Sequence, residues 1–266
     1  MLSVHTNYAS LVSQGAVNKS NDLLTSAMER LSTGLRINSA ADDAAGLQIA
    51  NRMNANITGM QAATRNISDA TSMLQTADGA LEELTTIANR QKELATQAAN
   101  GVNSTDDLKA LDAEYQALIL EAARITDKTT YAGNNLFTSL TAGTTFQIGA
   151  GTTEQLTTTI TAPTAVAGDL LSSANALTAM AAVDTNIGAV GTARSVLGAS
   201  INRLGHTSSN LASVLENTQA AAGRIMDTDF AEESANMTRN QLLVQAGTSI
   251  LSSANQNTGL VMGLLG

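Results

Sequence analysis

Apolar residues recur every three or four positions along most of the chain, which is the spacing of one face of an α-helix. Between residues 46 and 98 they form two series with a repeat of seven residues. Their members are Gly46, Met53, Met60, Ile67, Leu74, Leu81, Ala88, Ala95 and Ile49, Asn56, Ala63, Ala70, Ala77, Leu84, Gln91, Ala98. Large residues of one series lie beside small residues of the other. This pattern predicts one long helix that packs as in a coiled coil.

Two more helical segments follow. After a turn at Asn100-Gly101, Ser104 and Asp107 have the spacing of a capping box, which predicts the start of a second helix. A third helix is predicted by two further heptad series: Met180, Ile187, Arg194, Ile201, Ser208, Leu215 and Val183, Val190, Leu197, Leu204, Leu211. The long heptad segments are expected to pair with each other as antiparallel neighbours.

The stretch between residues 129 and 175 has a different character. It is rich in Thr, Gly, Ala and Ser and nearly free of charge. TTFQIGA (144–150) and EQLTTTI (154–160) predict two strands joined by a glycine-containing turn. The predicted fold class is therefore mainly α, with long antiparallel coiled-coil-like helices and a small β-hairpin region.

The two ends of the chain carry apolar stripes whose only hydrophobic partners are each other. The residues chosen from these stripes are Leu24, Leu31, Leu243, Ile250 and Leu264. Two lone helices bury too little surface to offset a backbone ordering cost of about 1–2 kcal/mol per residue. We therefore expect these five residues to pack between copies of the chain, which predicts self-assembly.

Composition narrows the class of protein. The 266 residues include 2% aromatics, one proline and no cysteine, with a formal net charge of −9. Few rings and one proline favour long helices with narrow contacts, and the acidic balance argues against a nucleic-acid partner. There is no run of 18 apolar residues, so no membrane span is expected, and the N-terminal sequence does not have the pattern of a secretory signal peptide.

Residues 30–53, RLSTGLRINSAADDAAGLQIANRM, interrupt the helical pattern and contain two adjacent acids. An acid–base pair would need a pocket and partners, and the sequence provides neither. The alternative is a joint between two helices. In this interpretation Gly34 ends the first helix, Ser39 and Asp42 start the next, and Gly46 permits close helix approach.

A second acidic group contains Asp227, Asp229, Glu232 and Glu233. It is compatible with a cation site, but Asp229 and Glu232 also have the spacing of a helix cap with its first-turn acid, which is the favoured interpretation. The two histidines are far apart, and no nucleophile elbow, zinc-protease motif or phosphate loop occurs. We therefore predict no catalytic residue, cofactor or metal, and no enzyme activity.

Five stretches are similar to the terminal signatures of bacterial flagellins, the subunits of the flagellar filament. They are residues 30–53 and 62–101, YAGNNLF (131–137), ARSVLGASINRL (193–204), and residues 223–256. Hook–filament junction proteins share this style but match less fully, and they remain the alternative. A signalling coiled coil is a further alternative, although it would not carry the 223–256 stretch.

The resemblance implies a domain organisation. Residues 1–44 plus 223–266 would form an inner terminal helical domain, joined through Gly34, Ser39, Asp42 and Gly46 to an outer rod. Residues 45–175 plus 176–222 would form that rod, with its β-hairpin near 144–160. The outer variable domains of long flagellins would be absent.

The resemblance also implies localisation and partners. The chain would be secreted by the flagellar type III export apparatus, with an export chaperone on its C-terminal segment. It would assemble as an extracellular homopolymer for motility, in contact with filament cap and hook–filament junction proteins. A host innate-immune flagellin receptor of the Toll-like class would contact Arg90, Leu94 and Glu114.

Overall fold

The structure, a computed structural model, describes the backbone of residues 6–265 and the side chains of residues 6–256. The described chain is helical along most of its length, with two short antiparallel strand pairs, which confirms the predicted fold class. The elements are α1 (Tyr8–Thr33), α2 (Ala44–Ala98), α3 (Thr105–Lys128), β1 (Thr130–Tyr131), β2 (Asn134–Asn135), α4 (Leu136–Ala142), β3 (Thr144–Gln147), β4 (Gln155–Thr158), α5 (Ser173–Met226) and α6 (Phe230–Leu265).

The chain divides into two compact units. Unit 1 consists of Met1–Ala55 and Asn217–Gly266, and unit 2 is Asn56–Glu216. Both boundaries lie inside the long helices α2 and α5. The inner and outer roles expected for the two parts of the chain stay predictions.

Unit 2 has its own hydrophobic core along α2 and α5. Leu74 and Leu81 of α2 and Leu197 and Leu204 of α5 are fully buried in one cluster. All members of both α2 heptad series from residue 60 to residue 98 are buried, as are Val183, Val190 and Leu211 of α5. The alternation of leucine with alanine lets the two helices approach closely, as the heptad pattern predicted.

In the first part of α2 the heptad series that begins at Gly46 is confirmed, but the series that begins at Ile49 is wrong. Ile49 and Asn56 are exposed, whereas Gly46 and Ala50 are buried. From Gly46 to Ile57 the buried and half-buried positions are spaced alternately by four and three residues. The next two spacings are both three residues, and this change rotates the buried stripe around the helix. The change in phase falls where α2 passes from unit 1 into unit 2, because each unit offers the helix a different packing surface.

Ion pairs show that α2 and α5 run antiparallel. Arg194 Nε donates to Asp78 Oδ1 at 2.8 Å, and Lys92 Nζ lies 2.6 Å from Asp184 Oδ1. Arg194 occupies a predicted apolar position, but it is half-buried, so its aliphatic part lies along the helices while the guanidinium reaches a carboxylate. Exposed pairs of this kind contribute about 0–1 kcal/mol each, so they fix the register more than they stabilise unit 2.

The shorter elements complete unit 2. The Ser104 side chain and Asp107 form the predicted capping box at the start of α3. Strands β3 and β4 form the predicted hairpin, with Thr144 opposite Thr158, although both strands are shorter than expected. Helix α4 has seven residues and was not predicted; its buried side chains include Leu136 and Leu140 in the same core.

Candidate functional site

Helices α1 and α6 of unit 1 pack against each other as an antiparallel pair, the terminal pair. Asn7 Nδ2 near the start of α1 donates to the Ala254 carbonyl near the end of α6, at 2.9 Å. At the other end of α1, Arg30 NH1 lies 3.9 Å from Oε1 of Glu233. The two contacts place the beginning of each helix beside the end of the other.

The seam of the terminal pair, the line along which α1 and α6 meet, mixes half-buried apolar side chains with small and polar residues. A Cβ on Gly247 would lie 2.5 Å from Cγ2 of Val17, so the glycine allows the two backbones to approach there. Ala27 is the buried residue of α1, and the seam side of α6 buries Glu233 and Asn240. These small and polar positions add little apolar burial to the seam, and burial is the main driving force for folding.

Many of the large apolar side chains of the terminal pair point away from the seam. Leu243 and Ile250 are 49% and 58% exposed, and Tyr8 is 79% exposed. The other exposed large apolar residues among the described residues of this pair are Leu11, Val12, Leu23, Met28, Phe230 and Leu242. Two helices thus present apolar surface of the kind that marks an interaction site.

Two residues predicted to pack between subunits lie on the side of α1 that faces α6. Leu24 and Leu31 are half-buried and share the heptad position of Val17, which faces α6. They therefore take part in the contact within the chain, and their packing between subunits stays a prediction. The side chain of Leu264 lies outside the described residues.

Backbone pairing joins the segment after α1 to the segment before α6. Leu35 and Asp227 form an isolated antiparallel bridge, in which Arg36 N donates to the Met226 carbonyl at 2.6 Å. Thr228 N donates to the Gly34 carbonyl at 3.0 Å. These bonds hold the segment after α1 and the segment before α6 together within unit 1.

The connecting loop, residues 34–43, begins with a glycine in the left-handed conformation. Gly34 has a φ of 73° and its N–H donates to the Arg30 carbonyl, which ends α1. A side chain in this conformation is strained, so glycine suits the position.

The assignment of Ser39 and Asp42 as the start of the next helix is wrong. Asp42 Oδ2 accepts hydrogen bonds from the Ser39 N–H at 2.9 Å and from the Ser39 hydroxyl at 3.0 Å, which closes a turn before the helix. Helix α2 starts at Ala44, and its cap is Asp43, whose Oδ1 accepts from Gly46 N at 2.9 Å. The second acid of the doublet therefore takes the capping role, because it stands three residues before a free helical N–H.

Gly46 is covered by the connecting loop rather than by another helix. A Cβ there would lie 2.5 Å from Asp43 Oδ2 and 2.8 Å from Cδ1 of Ile37, a residue that is itself buried. The glycine thus leaves room for the cap and for the loop residue that packs on α2. The predicted role of these residues as a joint between domains stays a prediction.

Hydrogen bonds hold the pKa of Asp42 below its ordinary value. The Ser39 N–H has the largest effect, followed by the Ser39 hydroxyl and the Asn38 N–H, and nearby Arg30 acts in the same direction. One guanidinium nitrogen of Arg30 lies 3.9 Å from Asp42 Oδ1, and Arg30 Nε is buried without a partner among the described residues. Arg30 therefore stands between the connecting loop and Glu233 of α6.

The acidic group near residue 229 acts as a helix start. Asp229 Oδ1 accepts from Ala231 N at 2.8 Å and from Glu232 N at 3.3 Å, which makes it the cap of α6. Within the described ranges, no three His, Cys, Asp or Glu residues are grouped as metal ligands. No helix among the described residues is long and apolar enough to cross a membrane.

The three residues assigned to receptor contact lie in unit 2 and differ in exposure. Arg90 is on the surface of α2, and its guanidinium pairs with Glu114 Oε1 at 2.7 Å and with Glu93 Oε2 at 2.7 Å. Leu94 is 1% exposed and belongs to a buried cluster with Tyr115 and Leu170. In this conformation the Leu94 side chain is not available to a partner, whereas Arg90 and Glu114 are.

A mainly helical chain with an apolar surface on its terminal helices defines a helical structural protein that associates with other chains. Family models agree with this class: the bacterial flagellin N-terminal helical region matches residues 4–142, and the C-terminal helical region matches residues 180–265. A flagellin of Halalkalibacterium halodurans is 43% identical over 246 residues, which is 90% of this chain and 90% of that protein. The chain belongs to the bacterial flagellin family and is a structural subunit of the flagellar filament.

Two solved structures are similar to the chain. The crystal structure of Bacillus cereus flagellin is 34% identical, with a TM-score of 0.50, over 55% of this chain and 88% of that one. A flagellar hook-associated protein of Vibrio parahaemolyticus has a TM-score of 0.59 at 12% identity, over 70% of this chain and 100% of that one. The second likeness shows a shared fold alone, so the hook–filament junction alternative is not favoured.

The crowding at Gly46 predicts a stability effect. Gly46→Ala should lower the free energy of unfolding by about 1–2 kcal/mol, because the new methyl group displaces the Asp43 cap and Ile37. The control is Gly15→Ala on α1, where nothing lies within 4 Å and alanine should be neutral or stabilising by up to about 1 kcal/mol. Urea unfolding followed by circular dichroism measures both variants, and equal stability of the two would contradict the crowding.

The hydrogen bonds at Asp42 predict a shift in its titration. Because the folded-state pKa is lowered, the stabilisation from the charged carboxylate is present above the unfolded-state pKa and is lost as the pH falls through the folded-state pKa. Ser39→Ala removes the hydroxyl donor and should raise the Asp42 pKa towards its ordinary value. Carboxyl-carbon NMR titration measures the shift, with Asp42→Asn to assign the signal. An unchanged pKa in Ser39→Ala would rule out this cause.

Proposed function

We propose that this chain polymerises with copies of itself through the outward apolar faces of α1 and α6. The observation that carries the proposal is the exposure of many large apolar side chains on the outer faces of the terminal pair, while small and polar residues occupy much of the seam. Isolated from other copies, the terminal pair is only weakly stabilised by burial, because ordering its backbone offsets most of the gain. Contact with neighbouring subunits removes the apolar faces from water and stabilises the pair.

The remaining assignments follow from family membership and are part of the same proposal. The terminal helices of unit 1 correspond to the inner tube and unit 2 to the outer rod, with the connecting loop as the joint that follows the inner helix α1. The chain leaves the cell through the flagellar type III apparatus, with the export chaperone on the C-terminal segment. It meets the filament cap and the hook–filament junction proteins at the ends of the filament, and it does this work as a structural protein without catalysis.

Adjacent residues on opposite faces of α6 provide the test of polymerisation. Ile250 is exposed, whereas Leu251 is half-buried on the seam side. Ile250→Glu should leave the unfolding free energy of the monomer within about 0.5 kcal/mol, since the change is at the surface. It should raise the concentration needed for polymerisation at least about tenfold, because a buried, unpaired carboxylate costs more than the equivalent 1.4 kcal/mol.

Seeded polymerisation, followed by sedimentation and electron microscopy, measures the effect. Ile250→Leu is the matched control and should polymerise normally, because it keeps an apolar side chain. Leu251→Glu should instead disrupt the terminal pair of the monomer, which circular dichroism detects. Normal polymerisation of Ile250→Glu would refute the proposed use of this face.

Recognition by an innate-immune flagellin receptor is the second expected interaction. It depends on Arg90 and Glu114, which are accessible, rather than on the Leu94 side chain. Arg90→Ala should weaken binding of the monomer to a soluble receptor ectodomain about fivefold or more, since truncation of a central interface arginine commonly costs over about 1 kcal/mol. Lys109→Ala, which removes an exposed charge from α3, is the control. Equal affinities of the two variants would exclude Arg90 as a contact.

A further inference from the structure

The turn between α2 and α3 contains the one Asn-Gly pair of the sequence, Asn100-Gly101. Helix α2 ends at Ala98 and α3 begins at Thr105, so the pair lies outside both helices. Both residues are exposed to solvent. An asparagine followed by glycine can react with its own backbone, because glycine has no Cβ to obstruct the approach of its nitrogen.

We propose that Asn100 is a site of self-modification, at which the folded chain converts the asparagine to aspartate and isoaspartate. Gly101 N attacks the side-chain carbon Cγ of Asn100 and forms a five-membered imide. The Cγ–Nδ2 bond breaks, and the nitrogen leaves as ammonia with the proton from Gly101. Water then opens the ring at either carbonyl carbon, which gives aspartate or isoaspartate without any oxidation or reduction.

The local hydrogen bonds favour this reaction. No hydrogen bond from the Gly101 N–H is found in the part of the chain that the structure describes, so this nitrogen does not have to leave a partner. Asn100 Oδ1 accepts from Val102 N at 3.4 Å, which folds the side chain over the Gly101 peptide. This bond keeps the Asn100 side chain close to the backbone that follows it.

A second asparagine in the same turn provides an internal comparison. Asn103 is followed by Ser104, whose N–H donates to Asp107 Oδ2 at 3.0 Å in the capping box. The Asn103 amide nitrogen itself donates to the Gln97 carbonyl at 2.6 Å. Both reacting groups are held by other partners, so Asn103 should react far more slowly than Asn100.

The modification changes the charge and the backbone of the turn. It adds one negative charge to a chain whose formal net charge is −9. The new carboxylate stands just beyond the C-terminus of α2, where the helix dipole is negative and disfavours an anion. Isoaspartate also lengthens the backbone by one carbon between α2 and α3. Modified subunits are therefore distinguishable from new ones by charge and by the geometry of this turn.

The test uses the full-length purified chain, incubated in mildly alkaline heavy-oxygen water. Peptide mass spectrometry should find the amide-to-acid exchange at position 100, with heavy oxygen incorporated and ammonia released. The rate at Asn100 should exceed the rate at Asn103 at least about tenfold, equivalent to about 1.4 kcal/mol in activation free energy. Equal rates at the two positions would overturn the proposal.

The variant Gly101→Ala tests the reaction at Asn100 without a change in the fold. Gly101 does not have a positive φ, and a Cβ there would meet no atom within 4 Å, so alanine fits the turn without a clash. The methyl group obstructs the attack of the nitrogen and should slow modification at Asn100 at least about tenfold, while the circular dichroism spectrum is unchanged. An unchanged rate in this variant would also overturn the proposal.

Discussion

Helices α1 and α6 meet along a single line of contact, and small and polar residues occupy much of that line. The seam contains Val17 against Gly247, Ala27, and a buried asparagine and glutamate beside half-buried leucines. Many large apolar side chains lie on the opposite faces. Because folding depends on apolar burial, such a pair stabilises itself poorly and gains most when other chains cover it. Unit 2 differs, since its helices and hairpin enclose two hydrophobic clusters of their own.

The polar groups of the seam give the terminal pair its alignment. Glu233 is buried and lies opposite Arg30, which also approaches Asp42 in the connecting loop. Buried ionic and polar groups add little net stability, but a wrong register would leave them without partners. The backbone bridge between Leu35 and Asp227 also favours the observed register. A weakly stabilised pair can therefore still have one preferred arrangement, which a repeating filament requires of each subunit.

The sequence predicts those parts of the fold that depend on local repetition. The heptads from Met60 to Ala98 and from Val183 to Leu211 are buried because every turn of those helices meets the same kind of neighbour. The prediction fails at Ile49, where the neighbour changes and the buried stripe rotates. For Leu24 and Leu31 the sequence predicts burial but not the partner, since an apolar stripe does not reveal whether its partner belongs to the same chain. The sequence predicts Ser39 as the cap of α2, whereas Asp43 is the cap in the structure. Both residues have acceptor side chains at a suitable spacing, and only the loop geometry distinguishes them.

Leu94 shows why a motif carried over from a family needs its tertiary surroundings. The motif around Arg90 is local, but the burial of Leu94 involves Leu170, which lies far along the chain. The segment that carries Leu170 is held on α3, where the Leu170 N–H donates to Asp112 Oδ1 at 2.8 Å and Gln116 Nε2 donates to the Gly168 carbonyl at 2.8 Å. These bonds keep an apolar side chain over the motif. A partner that binds this surface therefore contacts the charged pair of Arg90 and Glu114, while the adjacent Leu94 remains part of the core.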